Sequence, residues 1–292
     1  ETARGAFAFP TKSMKQKLGG ALNIPIVATN RINDPSIAET LLTDGTCDMV
    51  SMARPFLADP DLMKKSREGR SEEINTCIGC NQACLDHVFK AKTASCLVNP
   101  RACHETELEI RTLPEKDRLN ISVVGAGPAG CAFAITAAQM GHSVTLYDQA
   151  DDIGGQFNMA KRIPGKEEFY ETLRYFRVQL KKHGVQIKLG TKVSYDQMNQ
   201  EGDAVDKWVV ATGVDPRDPK IPGMENNPKV LSYIDVLRHK KPVGEKVALI
   251  GAGGIGFDVS EYLLHYDGED KTANDVSVEK FWKEWGIDPA QE

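Results

Sequence analysis

Residues 121–148 read ISVVGAGPAGCAFAITAAQMGHSVTLYD. A β-branched run from Ile121 to Val124 enters Gly125-x-Gly127-x-x-Gly130, and an alanine-rich stretch of helix-forming residues follows. A second apolar run then ends on Asp148, eighteen residues after the last glycine. Strand, glycine turn, helix, strand and acid in that order predict a parallel βαβ unit of the Rossmann-like α/β class. Across Gly125, Ala126, Gly127, Pro128, Ala129 and Gly130 the main chain can approach a pyrophosphate at a helix N-terminus, where the dipole favours anions. Asp148 is then placed to accept hydrogen bonds from an adenosine ribose. The plain alternative is a Rossmann-like glycine turn that binds nothing.

Downstream, DDIGGQFNMAK (151–161) supplies Gly155 at a second turn and leaves Gln156 open for polar contact. EEFYETLRYFRVQLKKHG (167–184) has the spacing of an amphipathic helix stopped by Gly184. Its aromatics, Phe169, Tyr170, Tyr175 and Phe176, suit packing better than a cofactor box. VQIKLGTKV (185–193), ending on Val193, predicts a strand pair, and DKWVVATG (206–213) a strand that runs into the small-residue turn Ala211-Thr212-Gly213. KVALIGAGGIGFD (246–258) repeats the strand–glycine pattern through Gly251, Gly253, Gly254, Ile255 and Gly256. Two such turns 126 residues apart imply two nucleotide sites, one for a flavin and one for a nicotinamide. After Tyr266 the pattern stops, so the second nucleotide unit reads as incomplete.

Upstream, past the polar linker RTLPEKDRLN (111–120), lies TCIGCNQACLDHVFKAKTASCLVNPRACH (76–104). Cys77, Cys80, Cys84 and Cys96 are spaced C-x2-C-x3-C-x11-C. A zinc ribbon usually closes on a second C-x2-C knuckle. A lone fourth thiol fits the corners of a [4Fe–4S] cube, which needs four thiolates. The iron–sulfur reading is favoured, with zinc as its alternative. Cys103, Cys47 and Cys131 are set aside, since single cysteines are often simply buried.

Further upstream, IPIVAT (24–29) and CDMVSMA (47–53) read as buried parallel strands, and PSIAETLLTDG (35–45) and DPDLMKKSREG (59–69) as glycine-terminated helices. These are two β/α units. Each strand ends on a turn with one arginine, Arg31 and Arg54. The last two loops of a (β/α)8 barrel commonly form a phosphate site, while rim salt bridges are the other use for such arginines.

The chain has 292 residues, 41% hydrophobic and 26% charged, with a net charge of −5. That suffices for about two domains. No basic block suggests nucleic acid or a membrane surface, and no apolar run is long enough to span a bilayer. Seven cysteines without a secretory pattern at the N-terminus favour metal over disulfides and a reducing, cytoplasmic setting. The lack of an initiator Met suggests a piece of a longer protein.

TNRINDP, SMARPFLADP, NTCIGCNQAC, SCLVNPRACHE, VVGAGPAG, IGGQFN, IPGKEEFYETLRY and GAGGIGFD together resemble the C-terminal half of the barrel-plus-dinucleotide flavoenzymes. Among these the bacterial NADPH-dependent 2,4-dienoyl-CoA reductases are the best match. Trimethylamine dehydrogenase and the enoate reductases share the layout but match less well around 156–176. The resemblance implies the end of an FMN-binding TIM barrel at 1–72, a [4Fe–4S] segment at 73–112, an FAD-binding Rossmann-like domain at 113–215 and the start of an NADPH-binding domain at 216–292.

It further implies FMN phosphate contacts at Arg31, Ala53 and Arg54, and cluster ligands at Cys77, Cys80, Cys84 and Cys96. The implied FAD contacts are the first glycine turn, Asp148, Gly155, Gln156, Val193 and Ala211 to Gly213, with NADPH over the second turn. Electrons would pass from NADPH through FAD, cluster and FMN to a 2,4-dienoyl-CoA thioester in fatty-acid β-oxidation. The family's catalytic Tyr and His fall upstream of these residues, so no catalytic acid is assigned in this chain.

Overall fold

The parallel four-stranded sheet β5-β4-β3-β6 organises the second half of the chain in a computed structural model that describes residues 2–21, 23–200, 204–217 and 219–290. Its strands are β3 (Asn120–Val124), β4 (Ser143–Tyr147), β5 (Gln186–Lys188) and β6 (Lys207–Val210). The earlier strands, β1 (Val27–Thr29) and β2 (Met49–Ser51), form a separate parallel pair with Ala28 opposite Val50.

By compactness the chain divides into two units. One comprises Glu1–Glu109, Glu167–Tyr175 and Lys271–Glu292, the other Ile110–Lys166 and Phe176–Asp270. Each is described by itself.

In the second unit, β3 lies between β4 and β6, with Val123 opposite Leu146 on one side and Val209 on the other. Central parallel strands are covered on both faces, which is why β3 is buried from Ile121 to Val124, Ser122 included. Val123, Leu146, Cys131, Ala134 and Leu180 are fully buried in its core. The helix Pro128–Gln139 starts on Pro128, whose missing N–H and fixed φ suit a first helical turn. Strand order β5-β4-β3-β6 reverses direction between β3 and β6, and that switch point is where open α/β sheets bind ligands.

The predicted strand pair at 185–193 is one strand, β5. Past Lys188 the chain turns, and Gly190 and Thr191 donate to the carbonyls of Ala150 and Asp148. The strand expected at 246–250 is also absent. Val247, Leu249 and Ile250 stay exposed, since an apolar run becomes a strand only where a neighbour takes its ladder hydrogen bonds. The helix behind it, Gly254–His265, does form, burying Val259 and Tyr262 against Met159, Ile163, Val236 and Leu237.

In the first unit, Asp34 caps the helix Pro35–Thr43, accepting from Ser36 N–H at 2.7 Å. Ala28, Ile32 and Cys47 form a small core. The strands are less buried than expected, with Val27 and Met49 about half exposed. Arg54 opens a short helix, Arg54–Ala58, where the sequence suggested only a turn.

Lys271–Glu292 groups with the N-terminal residues, because Phe281 packs with Ala3 and Ala6 and Trp282 Nε1 donates to Ala6 O at 2.9 Å. Among the described residues no helix is long and apolar enough to cross a membrane.

Candidate functional site

Cys77, Cys80, Cys84 and Cys96 all line one small recess that opens to solvent, together with Arg54, Asn81, Leu57 and Val98. All seven cysteines are free thiols. Among the described residues no three His, Cys, Asp or Glu side chains are arranged to hold a metal ion. The four thiols wall a space and do not close on a point. Burial pushes the Cys77 thiol up. The backbone N–H of Gly79 and the charge of Arg54 oppose that, while Cys96 and Cys80 add to it. Burial also pushes Cys96 up, against N–H donors from Val98 and Asn99. A guanidinium beside the recess favours an anionic group bound there.

The loops that carry these sulfurs are pinned by amide side chains. Asn33 Nδ2 donates to Cys77 O at 2.8 Å, Asn75 Nδ2 to Val98 O at 2.6 Å and Asn99 Nδ2 to Leu57 O at 3.0 Å. Arg54 donates to Asn81 Oδ1, which ties the short helix to the cysteine loop. Arg174 donates to Glu72 O and to Ile74 O, the latter at 2.9 Å, just before Cys77. None of these amides was singled out from the sequence. Asn33 and Asn75 lie inside quoted motifs, yet no spacing rule marks an asparagine whose partner is a distant carbonyl.

Arg31 and Arg54, paired in the sequence reading, have different surroundings. Arg31 donates to Glu168 Oε1 at 2.9 Å and to Thr2 O at 2.7 Å, the salt-bridge alternative. Arg54 faces the cysteine recess, with Ala53 next to it exposed. Glu168 is almost wholly buried and also receives Arg4, at 2.5 and 2.9 Å, and Asn33 at 2.9 Å. Burial raises the Glu168 carboxyl, but Arg4 first, then Arg31 and Asn33, outweigh it and hold the group below the usual carboxylate range.

The first glycine turn is built around two close approaches. A Cβ on Gly130 would lie 1.8 Å from Gly125 O, and one on Gly125 would lie 2.3 Å from Ala211 O, with Gly125 itself at φ +107°. Side chains are therefore excluded where the helix, turn and β6 meet. Gly155 comes against Gly127, Gln156 Nε2 donates to Val214 O at 2.9 Å beside Ala211 to Gly213, and Gly154 N donates to Ala126 O. The structure thus gathers Gly125 to Gly130, Gly155, Gln156 and Ala211 to Gly213 at the switch point of the sheet.

Asp148 is there too. Its Oδ2 accepts from Ala126 N–H at 2.6 Å and its Oδ1 from Ala150 N–H at 2.8 Å, so it braces the turn while each oxygen keeps a lone pair. Val193 follows Thr191, whose N–H donates to Asp148 O. Cys131, in the helix, is inert. Burial first, and the charge of Asp148 next, push its thiol up to about 12.

The second turn repeats the first. Gly251 has φ +120°, Gly253 caps its helix with φ −88° and ψ −178° against −70° and 179° at Gly127, and a Cβ on Gly256 would lie 2.1 Å from Gly251 O. Around Gly251, however, nothing lies within 4 Å of where a Cβ would be. Here the dinucleotide turn forms without its strand.

Two dinucleotide turns behind a β/α pair define an oxidoreductase with a pyridine-nucleotide domain. Residues 119–279 match the pyridine nucleotide-disulphide oxidoreductases, and residues 1–73 match the NADH:flavin oxidoreductase / NADH oxidase family. The chain belongs to the pyridine nucleotide-disulphide oxidoreductase family.

It is 40% identical over 262 residues to a metal reductase of Desulforamulus reducens, covering 89% of this chain and 38% of the relative. It is 32% identical over 247 residues to a cinnamate reductase of Clostridium sporogenes, covering 83% and 35%. Among solved structures, a 2-naphthoyl-CoA reductase complex with 2-naphthoyl-CoA matches with a TM-score of 0.84 at 33% identity, covering 98% of this chain and 44% of the other. The chain spans under half the length of these relatives.

Proposed function

We propose that this chain is the electron-entry part of an NADPH-dependent 2,4-dienoyl-CoA reductase that carries FAD, a [4Fe–4S] cluster and FMN. The observation that carries the reading is the recess walled by Cys77, Cys80, Cys84 and Cys96, with Arg54 beside them. Four thiols around a space suit a cube better than a single zinc ion. When bound, such a cluster supplies one-electron transfer between two flavins that serve different partners.

The residues of this chain bind and orient. Amides of the Gly125 to Gly130 turn take the FAD pyrophosphate, Asp148 the ribose, and Gln156 and Ala211 to Gly213 the neighbouring groove, with Val193 at its edge. Gly251 and Gly253 to Gly256 take NADPH in the same manner. Arg54 and the Ala53 N–H hold the FMN phosphate, with Arg31 kept by Glu168. Likeness to a reductase solved with an aryl-CoA thioester supports a conjugated acyl-CoA as substrate. The identity to the metal and cinnamate reductases favours, as a second reading, an enzyme for a smaller acceptor of the enoate type.

Anaerobic purification tests the proposal. Iron and acid-labile sulfide near four per chain, with broad absorbance beyond that of the flavin, are the expected result, and a chain holding one zinc and no iron rejects the cluster. In the intact reductase, Cys84→Ser is expected to keep NADPH-dependent bleaching of FAD and to lose dienoyl-CoA reduction by at least about a hundredfold, the scale of lost metal-site function. Undiminished turnover in that variant overturns the assigned route. Faster turnover of cinnamate than of a dienoyl-CoA by the wild type selects the second reading.

A further inference from the structure

Lys166 lies in the IPGKEEFYETLRY stretch (163–175), and its Nζ donates to Asp258 Oδ2 at 2.6 Å. Asp258 follows Gly256 by two residues, in the helix Gly254–His265 behind the second glycine turn. Two other polar side chains of that helix turn back on it, Ser260 to Gly256 O and Glu261 to His265. Lys166 instead reaches in from another segment, and that segment starts on the first glycine turn. Gly154 N–H donates to Ala126 O at 2.7 Å, and Gly155 lies against Gly127. From there main-chain hydrogen bonds of 2.9 to 3.2 Å overlap along its length: Phe157 N–H to Gly154 O, Ala160 N–H to Gln156 O, Ile163 N–H to Ala160 O and Lys166 N–H to Ile163 O. Midway, Met159 and Ile163 are buried in one core with Val259 and Tyr262 of the helix, and Arg162 donates to Leu237 O. One short hydrogen-bonded arm therefore touches both turns. The second turn depends on it, because no strand precedes Gly251 and the space around that residue is open. Its place is set from behind, by the helix.

We propose that Lys166 is a positioning residue for the second dinucleotide turn, holding through Asp258 the helix whose N-terminal amides receive NADPH. The inference rests on reading that turn as the NADPH site. Lys166 itself need not touch the nucleotide. Because the same arm leans on the first turn, it also fixes the two nucleotide turns relative to one another. The rival role for these charges is attraction and repulsion through space. A lysine near a helix N-terminus draws an anion in and an aspartate pushes it away, so neutralising each would shift affinity in opposite directions. A positioning pair makes a different demand. Losing either partner frees the helix, so both losses weaken binding, and losing both costs little more than losing one. About a third of each side chain is exposed, which limits the effect to that of a partly solvated ion pair.

The test is calorimetric titration of the intact, FAD-loaded reductase with NADP+, with flavin counted for each sample. Lys166→Met and Asp258→Asn are each expected to weaken binding by about twofold to fivefold, with FAD content at the wild-type level. The double variant is expected to bind no more weakly than the weaker of the two. In dye reduction the KM for NADPH is expected to rise by the same factor with kcat unmoved. Lys166→Arg, which keeps the pair, is expected to bind as the wild type does. A wild type that holds FAD but takes up no NADP+ removes the NADPH reading, and this inference with it. A wild type that binds NADP+, beside a Lys166→Met protein of equal affinity or an Asp258→Asn protein of higher affinity, overturns the role of Lys166 alone. Additive losses in the double variant overturn it too. If Lys166→Met is not recovered with its flavin, Lys166→Gln stands in with the same readings.

Discussion

Glu168→Gln is expected to lower the unfolding free energy by about 3 kcal/mol, the lower end of what breaking a buried ion pair costs. Four donors converge on this carboxylate, Arg4 Nε and Nη2, Arg31 Nη2 and Asn33 Nδ2, all within 2.9 Å. Glutamine has one acceptor oxygen, and its amino group would face guanidinium donors with nothing to accept it. Buried Arg4 and partly buried Arg31 also lose their nearest counter-charge. Glu171 and Asp34 remain, at 3.5 and 3.6 Å from Arg4, which keeps the loss at the lower end.

The same residue sets a pH dependence. Its folded pKa is held below the ordinary 4.5, so its stabilisation is complete above that value and is lost as pH falls through the lower folded value. Urea unfolding of the wild type is therefore expected to weaken below about pH 4.5, and Glu168→Gln to flatten that part of the slope. Equal midpoints for the two proteins at pH 7 would mean that the cluster around Glu168 contributes no net stability.

How much of this was legible in the sequence depends on the range of the interaction. The βαβ unit at 121–148 was readable because strand, turn, helix and acid are all set by residues close to one another, and the observed β3, helix and β4 follow that pattern. The spacing of Cys77, Cys80, Cys84 and Cys96 was likewise local enough to suggest one site, and all four line one recess. Glu168 was not legible. In sequence it is one of two adjacent acids before an amphipathic helix, and only the fold brings Arg4, 164 residues away, to its oxygens.

The 246–250 run failed for the opposite reason. Its composition is that of a strand, but strand formation is settled by a neighbour, and none of the described residues pairs with it. Arg31 and Arg54 looked equivalent because each follows a strand, whereas their partners, Glu168 and Asn81, are drawn from different parts of the chain. Local periodicity predicts elements. It does not predict which charge a given arginine will meet.

Placing one methyl group in each glycine turn is expected to give unequal results. Gly130→Ala and Gly256→Ala both drive a Cβ into the carbonyl oxygen of the glycine five residues earlier, at 1.8 and 2.1 Å. In the first turn the obstructing residue has no freedom to move. Gly125 is itself pressed against Ala211 O, its N–H donates to Tyr147 O at 2.8 Å, and Asp148 grips the next amide. Relief there requires β3, β4 and β6 to part, so the strain falls on the core of the sheet. In the second turn Gly251 has open space where a Cβ would be, and no strand precedes it. Its carbonyl can swing aside.

Overpacking in a fixed interior costs about 1–3 kcal/mol and occasionally more. Gly130→Ala is expected at or above the top of that range, and Gly256→Ala near the bottom. The first variant is also expected to emerge from purification without FAD, because the amides that meet the pyrophosphate are displaced along with the clash. The second is expected to retain FAD and to bind NADPH more weakly, read as a raised KM for NADPH in reduction of a flavin-coupled dye. Thermal unfolding with flavin counted per chain decides the matter. A Gly130→Ala protein that melts with the wild type and carries its flavin would mean that the turn at Gly125 yields as freely as the turn at Gly251, and that contact with β6 does not hold it rigid.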